Sequence, residues 1–90
     1  MPKTIFTGAN RVVVDALRQA RLEAGLTQTE LAARIGRDQS HVSLLEGSQR
    51  RVDVVEFHRL ALAIGSDPVA LFAQIDERLN ALARDGAPTD

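Results

Sequence analysis

Residues 28–47 read QTELAARIGRDQSHVSLLEG, and this stretch spells two short helices joined by a tight bend. Thr27 and Glu30 form a T-x-x-E capping box, in which each side chain satisfies an orphan backbone N–H of the first turn. Leu31, Ala32 and Ile35 then supply a buried face that runs up to Gly36. Asp38 is a good N-cap for the next helix, Val42 and Leu45 point inward, and Gly47 is expected to end it. Ala32 is small where the two helices must cross, and Gly36 permits the positive φ of a tight turn. Leu31, Ile35, Val42 and Leu45 lock the second helix across the first, which pushes the second one outward from the body.

The same signals extend in both directions. Upstream, Asn10 is expected to cap a helix with apolar positions Val13, Leu17, Ala20 and Ala24, stopped by Gly25. Downstream, Asp53 and Glu56 repeat the capping box, and Phe57, Leu60, Ala61 and Ile64 follow helical spacing until Gly65. Asp67 caps a last helix with Pro68 at its first position, where the missing N–H costs nothing, and this helix runs to about Arg84. No segment alternates with period two over a useful length, and Lys3 to Thr7 make at most a short extended arm. The expected fold class is all-α with five helices.

Ninety residues with 44% hydrophobic and 26% charged content suit one globular domain and are too few for two. The absence of cysteine leaves packing, rather than disulfides or a thiolate-bound zinc, to hold the chain together. Met1 to Asn10 carry one Lys and no apolar run of signal-peptide length, and no stretch approaches the roughly 20 apolar residues of a membrane span. A cytoplasmic address is expected, with no membrane partner. His41 and His58 without cysteine make a poor metal site, so no metal and no cofactor are expected. An enzyme is not expected either, for there is no plausible nucleophile–base pair, glycine-rich phosphate loop or perturbed carboxylate pair.

Charge is unevenly spread. The formal net charge is -1, but residues 1–27 hold four cations and two anions, residues 28–52 four and three, and residues 53–90 three and seven. A surface built from the first half can therefore meet phosphate while the acidic end faces away. The protruding helix, about three turns long, matches a major groove roughly 12 Å wide, so double-stranded DNA is the expected partner.

The stretches LRQARLEAGLTQTELAARIG, QSHVSLLE and RRVDVVEFHRLALAIGSDP together resemble the lambda-repressor-like, Cro/cI-type (XRE) helix-turn-helix family, from about Leu17 to Leu71. The resemblance implies an N-terminal arm over 1–10, a helix-turn-helix domain over 11–72 with the motif at about 28–47, a helix extension over 73–84 and a tail over 85–90. It implies that Gln28 contacts a phosphate and braces Gln39, and that Gln39, Ser40, Ser43 and Leu44 read bases. His41, Arg50 and Arg51 would lie on the DNA backbone. The chemistry agrees: Gln can bond adenine bidentately, Ser is adaptable, and arginines suit phosphate. Relatives also pair an Arg of the first helix with the Glu ending the third, which map to Arg21 and Glu46. Three positions depart from the pattern: Leu44 stands where a polar or basic residue is usual, Gly47 and Ser48 are in reversed order, and Leu62 lies opposite the core stripe of its helix.

The last helix outruns the family's compact core, and Leu71, Ile75, Leu79 and Leu82 form an apolar stripe on it. The stripe is expected to make a two-fold dimer, which would carry two reading helices to half-sites one DNA turn apart. The expected function is a transcriptional repressor binding a palindromic operator as a homodimer. The alternative is an antitoxin-like module that holds a partner protein through the stripe, with DNA binding secondary.

Overall fold

Gln28–Arg34 and Gln39–Glu46 are helices in the computed structural model of the chain, which describes residues 8–86. They are α2 and α3 of five: α1 is Ala9–Glu23, α4 Val54–Ile64 and α5 Pro68–Arg84, and the described residues contain no strand. The expected arm over Lys3 to Thr7 lies outside the described residues.

Caps account for most of the boundaries. Thr27 and Glu30 make both halves of their box, Thr27 Oγ1 accepting the Glu30 N–H at 3.0 Å and Glu30 Oε1 accepting the Thr27 N–H at 2.9 Å. Asp38, Asp53 and Asp67 each accept a first-turn N–H, from His41, Glu56 and Val69 respectively. The second box is only half made, because the Glu56 carboxylate turns away from Asp53 toward Arg50 and His41. Asn10 does not cap α1. The helix starts two residues earlier than that cap implies, after Gly8, and Asn10 is buried inside the first turn with its amide committed to the loop after α3.

The turn between α2 and α3 rests on Gly36, at φ 70°. A Cβ there would meet nothing within 4 Å, so the demand for glycine is conformational rather than steric. The end of α3 solves the same problem differently. Gly47 keeps a negative φ of −78°, and Ser48 takes the left-handed position at φ 57°. Its N–H reaches Leu45 O at 3.0 Å and the Gln49 N–H reaches Leu44 O at 3.1 Å, the double closure of a Schellman motif. A left-handed L-residue costs roughly 1–2 kcal/mol. Asn10 Nδ2 donates to the sealed Ser48 Oγ at 2.9 Å and anchors the residue in that position.

All five helices share one core, built from Val14, Leu17, Leu31, Val42, Leu45, Leu60 and Ile64 with their buried neighbours. On α1 the buried face is centred on Val14 and Leu17; Val13 and Ala20 are only partly covered, and Ala24 is exposed. α5 folds back along α1. Leu71 and Ile75 belong to this core, Ile75 being 0% exposed, and Leu79 packs partly against it while Leu82 is half-buried. The expectation that the Leu71–Ile75–Leu79–Leu82 stripe is a dimer or partner surface is therefore corrected for Leu71 and Ile75. A stripe at helical spacing reports burial, and here the same chain provides it, α5 packing on α1 and α4.

The apolar surface left open lies elsewhere. Val54 is 83% exposed and Val69 80%, and Phe72 is about half exposed, its ring edge-on to Phe57 with centroids 6.0 Å apart. Together with Val13 and Val52 these side chains line a groove between the starts of α4 and α5. Among the described residues no helix is long and apolar enough to cross a membrane.

Candidate nucleic-acid interface

α3 is divided lengthwise. Val42, Leu45 and Glu46 are buried, whereas Gln39, Ser40, Ser43 and Leu44 are exposed along one face. The buried half is fixed by a bidentate ion pair. Arg21 Nε meets Glu46 Oε2 at 2.6 Å and Arg21 Nη2 meets Glu46 Oε1 at 2.9 Å, with the two residues 6% and 7% exposed. Arg21 Nη1 also donates to Leu26 O at 2.6 Å, tying the α1–α2 loop to the same guanidinium. Hydrogen bonding to Glu46 raises the Arg21 pKa above its ordinary value despite burial, so the guanidinium stays charged.

From Glu46 the bonding continues to the surface. Gln28, at the first position of α2, donates from Nε2 to Glu46 Oε1 at 3.0 Å, and its Oε1 accepts from Gln39 Nε2 at 2.7 Å. Gln39, the first residue of α3, is thus held by a chain of contacts that begins in the core. Arg18 also stands 3.8 Å from Glu46 at the outer edge of this cluster.

The first turn of α3 is equally ordered. Ser40 Oγ donates to Asp38 Oδ1 at 2.7 Å, which leaves the hydroxyl oxygen as an acceptor toward solvent. This bond, followed by the His41 backbone N–H, holds the Asp38 carboxyl below the usual carboxylate range. Contacts with the Thr27 backbone and side chain do the same for Glu30.

His41 and Arg50 are engaged within the chain. His41 Nε2 lies 3.0 Å from Glu56 Oε2, and Arg50 reaches both Glu56 oxygens at 3.1 Å and His41 Nδ1 at 3.1 Å. The imidazole thus stands between a guanidinium that can only donate and a carboxylate oxygen that bridges to the same guanidinium. Arg51 is exposed beside them.

Two residues that organise this face are not among the predicted ones. Glu56 reads in the sequence as a capping partner, and nothing in its spacing announces that Arg50 will claim it. Asn10 reads as a helix cap, yet it clamps the α3–α4 loop by donating to Ser48 Oγ and Arg50 O and accepting the Val52 N–H at 3.3 Å. Among the described residues no group of three or more His, Asp or Glu comes together as metal ligands would.

A helix with an anchored inner face and an open outer one suits a DNA reader, and the family comparison agrees with it. A family model described as a helix-turn-helix domain matches residues 13–74. The chain belongs to this helix-turn-helix family. It is 37% identical over 67 residues to an uncharacterised HTH-type transcriptional regulator of Sinorhizobium fredii, a match covering 74% of this chain and 87% of that one. Among solved structures, an XRE-family like protein from Pseudomonas syringae pv. tomato is 46% identical and superposes with a TM-score of 0.72 over 77% of this chain and 84% of the other. A mutant of the restriction-modification controller protein C.Esp1396I, 20% identical, shares the fold with a TM-score of 0.72 over 81% of this chain and 97% of its own. The protein is thus an XRE-type helix-turn-helix DNA-binding protein of the transcription-regulator class.

Proposed function

We propose that this helix-turn-helix protein is a cytoplasmic repressor that binds a palindromic operator as a homodimer, with α3 of each protomer in the major groove. The observation that carries the reading is the open outer face of α3, where Gln39, Ser40, Ser43 and Leu44 stand clear of the body while Glu46 is clamped behind them. Gln39 bonds adenine, Ser40 and Ser43 adapt to neighbouring base edges, and Leu44 meets a thymine methyl. Gln28, His41, Arg50 and Arg51 contribute phosphate contacts that set register. Glu56 competes with phosphate for Arg50, so this flank contributes less than its arginines alone would suggest.

The pairing surface is reassigned. With Ile75 inside the protomer, the two-fold contact falls to the exposed Val54, Val69 and Phe72, whose burial between two copies removes a continuous apolar patch from water. The antitoxin-like reading, which seats a partner on Ile75 and Leu79, loses Ile75 for the same reason and keeps only the partly buried Leu79.

The test is a hydroxyl-radical footprint on duplexes recovered from a randomised pool. The expected pattern is two protected tracts centred about 34–36 Å apart and fading with added salt. A single tract, or no enrichment of any sequence, contradicts operator binding by a dimer.

A further inference from the structure

Both peptide planes that flank Arg51 are bonded to one buried side chain. Asn10 Nδ2 donates to Arg50 O at 3.1 Å, and Asn10 Oδ1 accepts the Val52 N–H at 3.3 Å. The first bond fixes the peptide that enters Arg51, and the second fixes the one that leaves it. Only φ and ψ of Arg51 turn between those planes, so the direction in which its side chain leaves the backbone is set as well. The other Asn10 amide hydrogen goes to Ser48 Oγ at 2.9 Å and holds the left-handed turn by which the chain leaves α3. All three bonds go to this loop, and α1 gains no cap from them. Asn10 also precedes the stretch that the helix-turn-helix family model matches. It is 6% exposed and out of reach of a duplex, whereas Arg51 is exposed.

We propose that Asn10 is a positioning residue for DNA binding, aiming Arg51 at a phosphate from the first turn of α1. The inference rests on the reading above that Arg51 meets the DNA backbone, and adds what keeps that arginine in place. An arginine side chain is long and loses rotamer freedom when it settles on a phosphate, so each degree of freedom removed beforehand strengthens the contact. The clamp removes the backbone's share. Without Asn10 the loop keeps its charge, but the root of the Arg51 side chain is no longer fixed and must be ordered by the DNA itself. The two arginines of the loop are thereby held for different ends. A carboxylate, Glu56, restrains the Arg50 side chain, while a neutral amide sets the Arg51 backbone and leaves its charge uncompensated by the clamp.

The experiment is a double-mutant cycle of Asn10→Ala and Arg51→Ala in the full chain, read as affinity for a duplex that the wild type recovers from a randomised pool. Arg51→Ala is expected to weaken binding and to flatten the plot of log affinity against log salt by about 0.9, one phosphate contact. Asn10→Ala is expected to weaken binding about fivefold when Arg51 is present and to change nothing once Arg51 is alanine. A purely structural Asn10 would lower affinity by the same factor in both backgrounds, which overturns the proposal. If Arg51→Ala leaves affinity and salt slope as in the wild type, the reading of Arg51 as a phosphate contact fails, and the proposal falls with it. The cycle is repeated with Ser48→Gly in every protein, because glycine holds the left-handed position unaided and supports folding when Asn10 is gone. The same coupling is expected there, and equal effects in the two Arg51 backgrounds again overturn the proposal.

Discussion

Arg21 and Glu46 carry much of the molecule's rigidity at the scale of single residues. The ion pair is almost sealed, and its net stabilisation over an apolar pair of the same volume is small, but a partner left alone is an uncompensated buried charge. Arg21→Met is expected to cost about 3–5 kcal/mol in equilibrium unfolding, and an unchanged midpoint would remove this structural role. Asp38 is the corresponding case at the surface. Its carboxyl is held below the usual range by the Ser40 hydroxyl and then the His41 N–H, and on unfolding it returns to an ordinary value near ~3.9. Its contribution is thus fully present above that ordinary value and is lost as pH falls through the lower folded one. Asp38→Asn keeps an acceptor at the cap and removes the titration. Thermal melts of this variant are expected to lose less stability on acidification than the wild type does; parallel acid limbs would count against the assignment. Only one of these pairings follows from local spacing. The capping role of Asp38 was legible because it is set within four residues, whereas the Arg21–Glu46 contact spans 25 positions and was visible only through the family pattern.

Helices α2 to α5 were legible in the sequence almost to the residue, because capping aspartates, a threonine box and punctuating glycines are local chemistry. The exceptions at the element scale are places where a longer contact overrules a local one. Asn10 abandons the cap of α1 for the α3–α4 loop, and Glu56 abandons its box for Arg50 and His41. On the proposed function the second exchange matters, since it pairs one arginine beside α3 with a carboxylate. Glu56→Gln keeps the backbone N–H that Asp53 caps and removes the competing charge. The plot of log affinity for DNA against log salt is expected to steepen by about 0.9, the equivalent of one more phosphate contact. An unchanged slope would mean that Arg50 does not meet the backbone.

The whole molecule departs most from its sequence at α5. Leu71, Ile75, Leu79 and Leu82 recur as an interface stripe would, and periodicity cannot distinguish a partner protein from another helix of the same chain. Leu71 and Ile75 lie in the chain's own core, where α5 packs on α1 and α4. Ile75→Ala is accordingly expected to cost about 2–5 kcal/mol of folding stability, and a variant that unfolds as the wild type does while changing only its association would restore the interface assignment. The open apolar patch on α4 and α5 was hidden for the converse reason, as Val54, Val69 and Phe72 do not form a stripe on any one helix and meet only when the two are packed. The surface proposed to face DNA, by contrast, comes from one short helix whose inner and outer positions alternate legibly along the chain. Its orientation is the claim on which the functional account depends. Titrating a duplex recovered from a randomised pool into isotope-labelled protein and following the amide resonances tests it most directly. The largest shifts are expected at Gln39, Ser40, Ser43 and Leu44, with the end of α5 unmoved; shifts concentrated on α5, with the outer face of α3 silent, would contradict it.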